Sequence, residues 1–217
     1  METKAEHGLY HTIHKKLKGE RKFSNGTELK DFWSWAYSDM LSNAQRGVLA
    51  EYIVAMALGC TDTIRTEWGT YDLETTDGIK VEVKSSAYIQ SWKQKRPSEI
   101  KFSIPKTKAC IDEYQNKYEA EAKRHADVYV FCLFKPNQVD YLVNQKGIVN
   151  NMLLSLRNWG FYVVPTQRID AMFPHAKTLS MSRLEKLVGK EQPISFNELE
   201  QAVHEAYLRN QSSSSLK

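Results

Sequence analysis

Glu82-Val83-Lys84 sets a carboxylate and an amine two residues apart, and Asp72 precedes the pair by ten residues. On a strand, residues i and i+2 project from one face, so Glu82 and Lys84 share one working space. Two carboxylates brought to such a space repel each other unless a cation intervenes. Hard oxygen donors with positions left open suit Mg²⁺, with Mn²⁺ able to substitute. An ion held there polarises a phosphate oxygen and makes hydroxide from bound water. A lysine beside it can orient that water or offset charge in the transition state. The tripeptide alone carries no weight, because the chain holds six E-x-K runs, starting at Glu2, Glu20, Glu28, Glu82, Glu99 and Glu121. Glu82 differs in its surroundings: it lies mid-strand in a patterned hairpin with an acid on the partner strand.

That hairpin is legible residue by residue. Asp77-Gly78 is a strong turn signal. Ile79, Val81 and Val83 alternate with Lys80, Glu82 and Lys84 in a strand from Ile79 to about Ile89, and Thr66 to Thr75 forms the preceding strand. If the loop is Thr76-Asp77-Gly78, residue 75 faces 79 and Asp72 falls directly opposite Glu82, on the same face. A loop of Asp77-Gly78 alone would turn Asp72 away, since a one-residue slip reverses every side chain. The three-residue loop is therefore the structural expectation on which the site depends.

A helix must precede the hairpin. Ser42 or Asn43 caps it, Gly59 ends it after about Leu58, and Ala44, Val48, Tyr52, Ala55 and Met56 follow helical spacing. Glu51 sits on or beside that stripe, an odd place for an unpaired carboxylate, where it can complete a metal shell or hold an outer-sphere water. After the hairpin, Lys101–Ile104 reads as a third strand. Pro105 to about Arg124 reads as a helix with Ile111, Tyr114 and Tyr118 on one face, and Asp127–Phe134 as a buried strand. Further on, Ile148–Arg157 looks helical, Phe161–Val164 strand-like, and Ser182–Val188 and Phe196–Leu208 helical. Residues 1–39 form an N-terminal extension whose Phe32, Trp33, Trp35 and Tyr37 pack onto the body. Residues 40–210 form one domain, and 211–217 a flexible tail.

The bulk numbers set the class. Over 217 residues, 41% hydrophobic and 26% charged residues describe an ordinary globular protein. No apolar run approaches the roughly 20 residues of a membrane span, and residues 1–8 lack a secretory pattern. Cys60, Cys110 and Cys132, odd in number and far apart, read as reduced thiols of a cytoplasmic protein. The net charge of +4 is uneven: the 25 residues from Lys84 to Lys108 carry seven basic residues and one acid, Glu99, hence +6. Such a concentration fits a polyanionic partner such as nucleic acid. Within it Lys93, Lys95 and Arg96, with Tyr88 and Trp92 interleaved, are candidates to grip a backbone. Gln90, placed on the parity of Glu82 and Lys84, is a candidate contact to water or phosphate, and Arg46 one from the helix. His7, His11 and His14 fall at helical spacing without an acid to complete a metal site, and His125 and His175 read as isolated structural residues.

Glu51 on a helix, then Asp72, then Glu82-Val83-Lys84, on an αβββαβ order of elements, resembles the PD-(D/E)xK nuclease superfamily of restriction endonucleases, junction resolvases and repair exonucleases. The resemblance spans about residues 41–134. It implies an α/β fold with a restriction endonuclease-like αβββαβ core, a central mixed sheet flanked by helices, and N- and C-terminal additions. It implies Mg²⁺-dependent hydrolysis of DNA phosphodiester bonds, usually by a homodimer. Asp72 and Glu82 match the metal-binding acids, Lys84 the motif lysine, and Glu51 the helical acid. Tyr71 stands where the motif's name has proline, a departure that removes no ligand. A structure-selective enzyme such as a Holliday junction resolvase, and an inactive DNA-binding module of the same fold, are the alternatives within this reading.

Overall fold

The structure, a computed structural model, describes residues 16–67, 69–112, 117–136, 149–189 and 193–214. His7, His11 and His14 lie outside these residues, as do residues 215–217 of the expected tail. The fold is mixed α/β. Its central sheet runs β1 (Leu73–Glu74), β2 (Lys80–Ala87), β6 (Val128–Phe134), β7 (Trp159–Pro165) in spatial order. The β1–β2 and β6–β7 pairs are antiparallel and the β2–β6 pair is parallel, so the sheet is mixed. Strand β6 is buried at every position, as an unbroken apolar run demands of a strand covered on both faces.

The two faces bury different sets of residues. Val81, Val83, Val128, Val130 and Cys132 pack with Ala50, Ile53 and Val54 of helix α2 (Asn43–Ala57) and with Leu199 and Val203 of the C-terminal helix. On the other face Tyr129, Phe131 and Leu133 pack with Phe102, Ile169, Leu179 and Leu184. Helix α2 begins as expected, with the Ser42 hydroxyl accepting from Gln45 N at 3.4 Å, and Gly59 at φ 64° follows its end. Its buried stripe, however, is Arg46, Ala50, Ile53, Val54 and Ala55. Tyr52 and Met56, assigned to the stripe from spacing, are exposed. The small, branched residues pack closest to the sheet, and the larger side chains turn outward.

Three expectations are corrected. The third strand forms as β3 (Lys101–Ser103), but it leaves the central sheet and pairs antiparallel with β8 (Thr178–Ser180). The helix expected from Pro105 to Arg124 is absent from the described residues of that stretch. In its place run two antiparallel arms ending in β4 (Cys110–Asp112) and β5 (Lys117–Tyr118), with Thr107 and Lys123 exchanging backbone bonds at 2.9 Å. Arg124 explains this. Its guanidinium is fully buried, pairs with Asp170, and donates to Ile104 O at 3.1 Å and Ala176 O at 2.9 Å. All those partners lie far away in sequence, whereas Ile111 and Tyr118, the supposed buried face, are exposed. Finally, helix α1 (Leu29–Tyr37) buries no residue, and Phe32, Trp33, Trp35 and Tyr37 are exposed rather than packed on the body.

The later elements fall close to expectation. Helix α3 (Val149–Leu154) runs into a 3-10 turn, β7 covers the expected strand, α4 (Thr166–Met172) follows it, and α5 (Met181–Leu187) fills the short helical stretch. The last helix, α6 (Leu199–Ser214), extends into the stretch expected to be tail. No described helix is long and apolar enough to cross a membrane.

Candidate active site

The hairpin takes the register the site requires. Thr75 N donates to Ile79 O at 3.0 Å and Gly78 N to Thr75 O at 2.9 Å, which closes a Thr76-Asp77-Gly78 loop. Gly78 has φ 86°, the left-handed conformation that glycine adopts at little cost. Leu73 pairs with Val81 and Glu74 with Lys80. The first strand is much shorter than expected because Asp72 spends its side chain on the ladder. Its Oδ2 accepts Val83 N at 2.7 Å while its own N–H donates to Val81 O at 3.1 Å. A carboxylate thus replaces a strand carbonyl and is locked against β2.

Lys84 joins the two acids. Its Nζ lies 2.5 Å from Glu82 Oε1 and 3.7 Å from Asp72 Oδ2. All three side chains are largely buried, at 18–26% exposure, so their charges interact through a medium poorer than water. Burial first, and the Asp72 charge second, push the Glu82 carboxyl above its ordinary range, against the pull of Lys84. Burial works to lower the Lys84 amine, but Asp72, Glu82 and Glu51 together outweigh it and hold the amine above its ordinary range. The triad therefore carries one net negative charge when all three groups are ionised. Asp72 Oδ1 and Glu82 Oε2 have no hydrogen-bond partner among the described residues.

Two concavities border members of this triad. One, about 200 Å³, is bordered by Glu82, Lys84, Tyr129, Arg124, His125 and the Ser103–Pro105 segment. The other, about 420 Å³, is bordered by Asp72, Glu51, Tyr52, Arg65 and Tyr71. Glu82 pairs with Tyr129 across the parallel β2–β6 ladder, and burial followed by the Glu82 charge pushes that phenol up, so it stays neutral.

Glu51 is drawn elsewhere. Helix α2 covers the Val81/Val83 face, opposite to Glu82 and Lys84. From there the Glu51 carboxylate forks onto Arg65, at 2.5 Å to Nε and 3.0 Å to Nη2. Among the described residues no group of three or more His, Cys, Asp or Glu side chains is close enough to hold a metal ion. The structure brings together Asp72, Glu82 and Lys84 and leaves Glu51 one step back, near enough for its charge to act on both Glu82 and Lys84.

The other candidates divide. Gln90 lies beyond the end of β2, so its expected strand parity is lost. It donates to Ala87 O at 2.9 Å and accepts from Arg46 at 3.1 Å, a structural role. Arg46 is 4% exposed, with Ser85, Leu41 O, Gln90 and Asn43 as its partners. Ser85 faces away from Lys84, so Arg46 does not reach the triad. Trp92, Lys93, Lys95 and Arg96 are all exposed. Arg65, Tyr129 and His125 were missed as site residues, since only long-range pairing places them there.

Residues 13–155 match the model of the bacteriophage T4 endonuclease IV family. The chain belongs to that family. The match covers α1, the whole hairpin and β6, so the triad lies inside it, and it makes this chain a member of an endonuclease family. Neither a curated protein nor a solved structure matches the chain.

Proposed function

We propose that this endonuclease IV family member is a Mg²⁺-dependent endodeoxyribonuclease, and that its triad is a PD-(D/E)xK-type site. The observation that carries the reading is the Asp72–Lys84–Glu82 cluster, whose Glu82 and Lys84 border a cavity that the basic stretch also borders. The 103–107 segment of that stretch borders the cavity directly, with Lys101, Lys106 and Lys108 exposed beside it. The family's name and the polyanion-attracting charge both fit a DNA substrate.

The donor set suits a hard divalent cation. Asp72 and Glu82 offer one uncommitted carboxylate oxygen each, and burial, with the Asp72 charge second, already raises the Glu82 carboxyl. A bound Mg²⁺ supplies Lewis-acid polarisation of the phosphate and a hydroxide at neutral pH. Asp72, pinned by Val83 N, sets the ligand geometry. Lys84 hands its charge from the two acids to the phosphate oxygens as negative charge develops there. In this reading Glu51 is an outer carboxylate that keeps the Arg65 charge beside Asp72. Lys93, Lys95, Arg96 and Trp92 serve as DNA contacts, and a homodimer, testable by sedimentation, would let both strands be cut.

Plasmid DNA and a synthetic four-way junction, each incubated with Mg²⁺ and with EDTA, test this. Plasmid cleavage in Mg²⁺ and none in EDTA is expected. Cleavage of the junction alone would make the enzyme structure-selective, binding without cleavage would make it an inactive module, and cleavage in EDTA would remove the metal. A crystal soaked in Mn²⁺ should show density bridging Asp72 and Glu82.

A further inference from the structure

The cavity that holds Glu82 and Lys84 has a second titratable wall. His125, between the buried Arg124 and the start of β6, borders the same space. Its side chain is only 8% exposed. Its Nε2 lies 2.9 Å from Thr107 O and 3.5 Å from Glu119 Oε2. A carbonyl only accepts, so Nε2 carries a hydrogen. Nδ1 is then the remaining polar atom of the ring, and it has no hydrogen-bond partner among the described residues. Three further groups surround this wall. Lys123 holds the other Glu119 oxygen at 2.9 Å. Arg124 is committed to Asp170 and to carbonyls. The neutral Tyr129 phenol stands by Glu82. The cavity, about 200 Å³, has room for roughly six waters at about 30 Å³ each. That is space for a phosphodiester group and its attacking water.

We propose that His125 is a catalytic residue that protonates the departing sugar oxygen in the cavity it shares with Glu82 and Lys84. The inference rests on the nuclease reading of that triad. Phosphodiester hydrolysis needs two proton movements. Water attacks phosphorus, its oxygen forms the new P–O bond, and one of its protons leaves to solvent. The P–O bond to the sugar breaks with its electron pair on that sugar oxygen, which takes the proton from imidazolium Nδ1. His125 is then neutral and recovers a proton from solvent, so the sum is one water consumed per bond cut. In the triad the Lys84 amine is engaged by Glu82 at 2.5 Å and by Asp72 at 3.7 Å, whereas His125 keeps a ring nitrogen without a partner among the described residues for the second movement. The Thr107 carbonyl at 2.9 Å from Nε2, with the Glu119 carboxylate behind it, holds the ring and fixes its tautomer.

The test compares two substrates with wild type and two variants, His125→Ala and His125→Gln, all in Mn²⁺. Glutamine keeps a side-chain amide able to donate to Thr107 O, so it guards against a loss that is only structural. One substrate is an ordinary phosphodiester. The other carries sulfur in place of the bridging leaving oxygen, and a thiolate departs without protonation. Both variants should cut the ordinary substrate about 100-fold more slowly or worse, the scale of general-acid catalysis, and the sulfur substrate within about 3-fold of wild type. Equal losses on both substrates, or no loss on either, would overturn the assignment. Failure of the triad reading shows separately, as wild-type cleavage of both substrates that survives EDTA.

Discussion

Lys84 stands between two acids that would otherwise face each other across a partly buried space. Two consequences follow at the level of single residues. Asp72→Ala and Lys84→Ala should each slow cleavage by at least about 100-fold with DNA affinity largely kept, since each removes a group that acts as charge develops. Retained activity in either would remove that residue from the mechanism. Without metal, Lys84→Met leaves Asp72 and Glu82 uncompensated. Breaking a fully buried pair costs about 3–5 kcal/mol, and the partial exposure here reduces that to about 1–2 kcal/mol near pH 7. The pH dependence has a definite sign. Glu82 titrates above its ordinary value of 4.5 in the fold. The stability tied to its proton is therefore present below that value and lost as pH rises through the folded one. Removing the lysine charge raises Glu82 further. The deficit of Lys84→Met, measured by urea unfolding in EDTA, should therefore shrink as pH falls towards 4.5 and shrink again on adding Mg²⁺. A deficit independent of pH would mean that the lysine matters for packing alone. The residues of this triad were legible because strand alternation and one turn fix their relative positions. Glu51 was not, because a helix spacing pattern does not say which face of the sheet the helix covers. The small residues Ala50, Ile53 and Val54 decided that, and took Glu51 to Arg65.

Among the elements, the Thr76-Asp77-Gly78 loop fixes the site by setting which way Asp72 points. The loop is held by Thr75 at both levels, backbone to Ile79 and Gly78, and hydroxyl to Ile79 N at 2.9 Å and Asp77 at 2.5 Å. A Cβ on Gly78 would meet nothing within 4 Å, so Gly78→Ala costs only the strain of φ 86°. That strain is about 1–2 kcal/mol, or roughly 2–4 °C per kcal/mol in melting temperature for a domain of this size. The cleavage rate should not change, because the Thr75–Ile79 bonds hold the register. A large loss of activity in a variant that melts nearly normally would show that the glycine, not the threonine, sets the register. This hairpin, helix α2, β6, β7, α5 and the start of α6 could all be read locally, from caps, turn residues and apolar runs. The 105–124 stretch could not. Its helical spacing of Ile111, Tyr114 and Tyr118 competes with a buried Arg124 whose partners, Ile104, Asp170, Phe173 and Ala176, satisfy every bond it makes only in the folded chain.

At the scale of the whole molecule, one strongly basic stretch of the chain contributes to the wall of the cavity that Glu82 and Lys84 border. The +6 stretch leaves the sheet after β2, exposes Lys93, Lys95 and Arg96 on a loop, returns through β3, and lines the cavity at Ser103–Pro105. The stretch thus joins an exposed basic loop to a segment of the cavity wall. If the loop contacts phosphates, each contact releases condensed counterions, and the logarithm of affinity falls with the logarithm of salt by about 0.9 per contact on duplex DNA. Replacing Lys93, Lys95 and Arg96 together by glutamine should therefore reduce the slope by up to about 2.7. It should weaken binding to all sequences alike, since phosphate contacts position without reading bases. The single-turnover cleavage rate at saturating enzyme should stay within about 2-fold of wild type, because none of the three touches the reacting group. A salt titration of binding, run beside that rate, separates the alternatives. An unchanged slope would make the loop an ordinary solvated surface. A reduced slope with a collapsed rate would mean that the loop helps to place the scissile phosphate at Lys84, and would join the basic stretch to the active site.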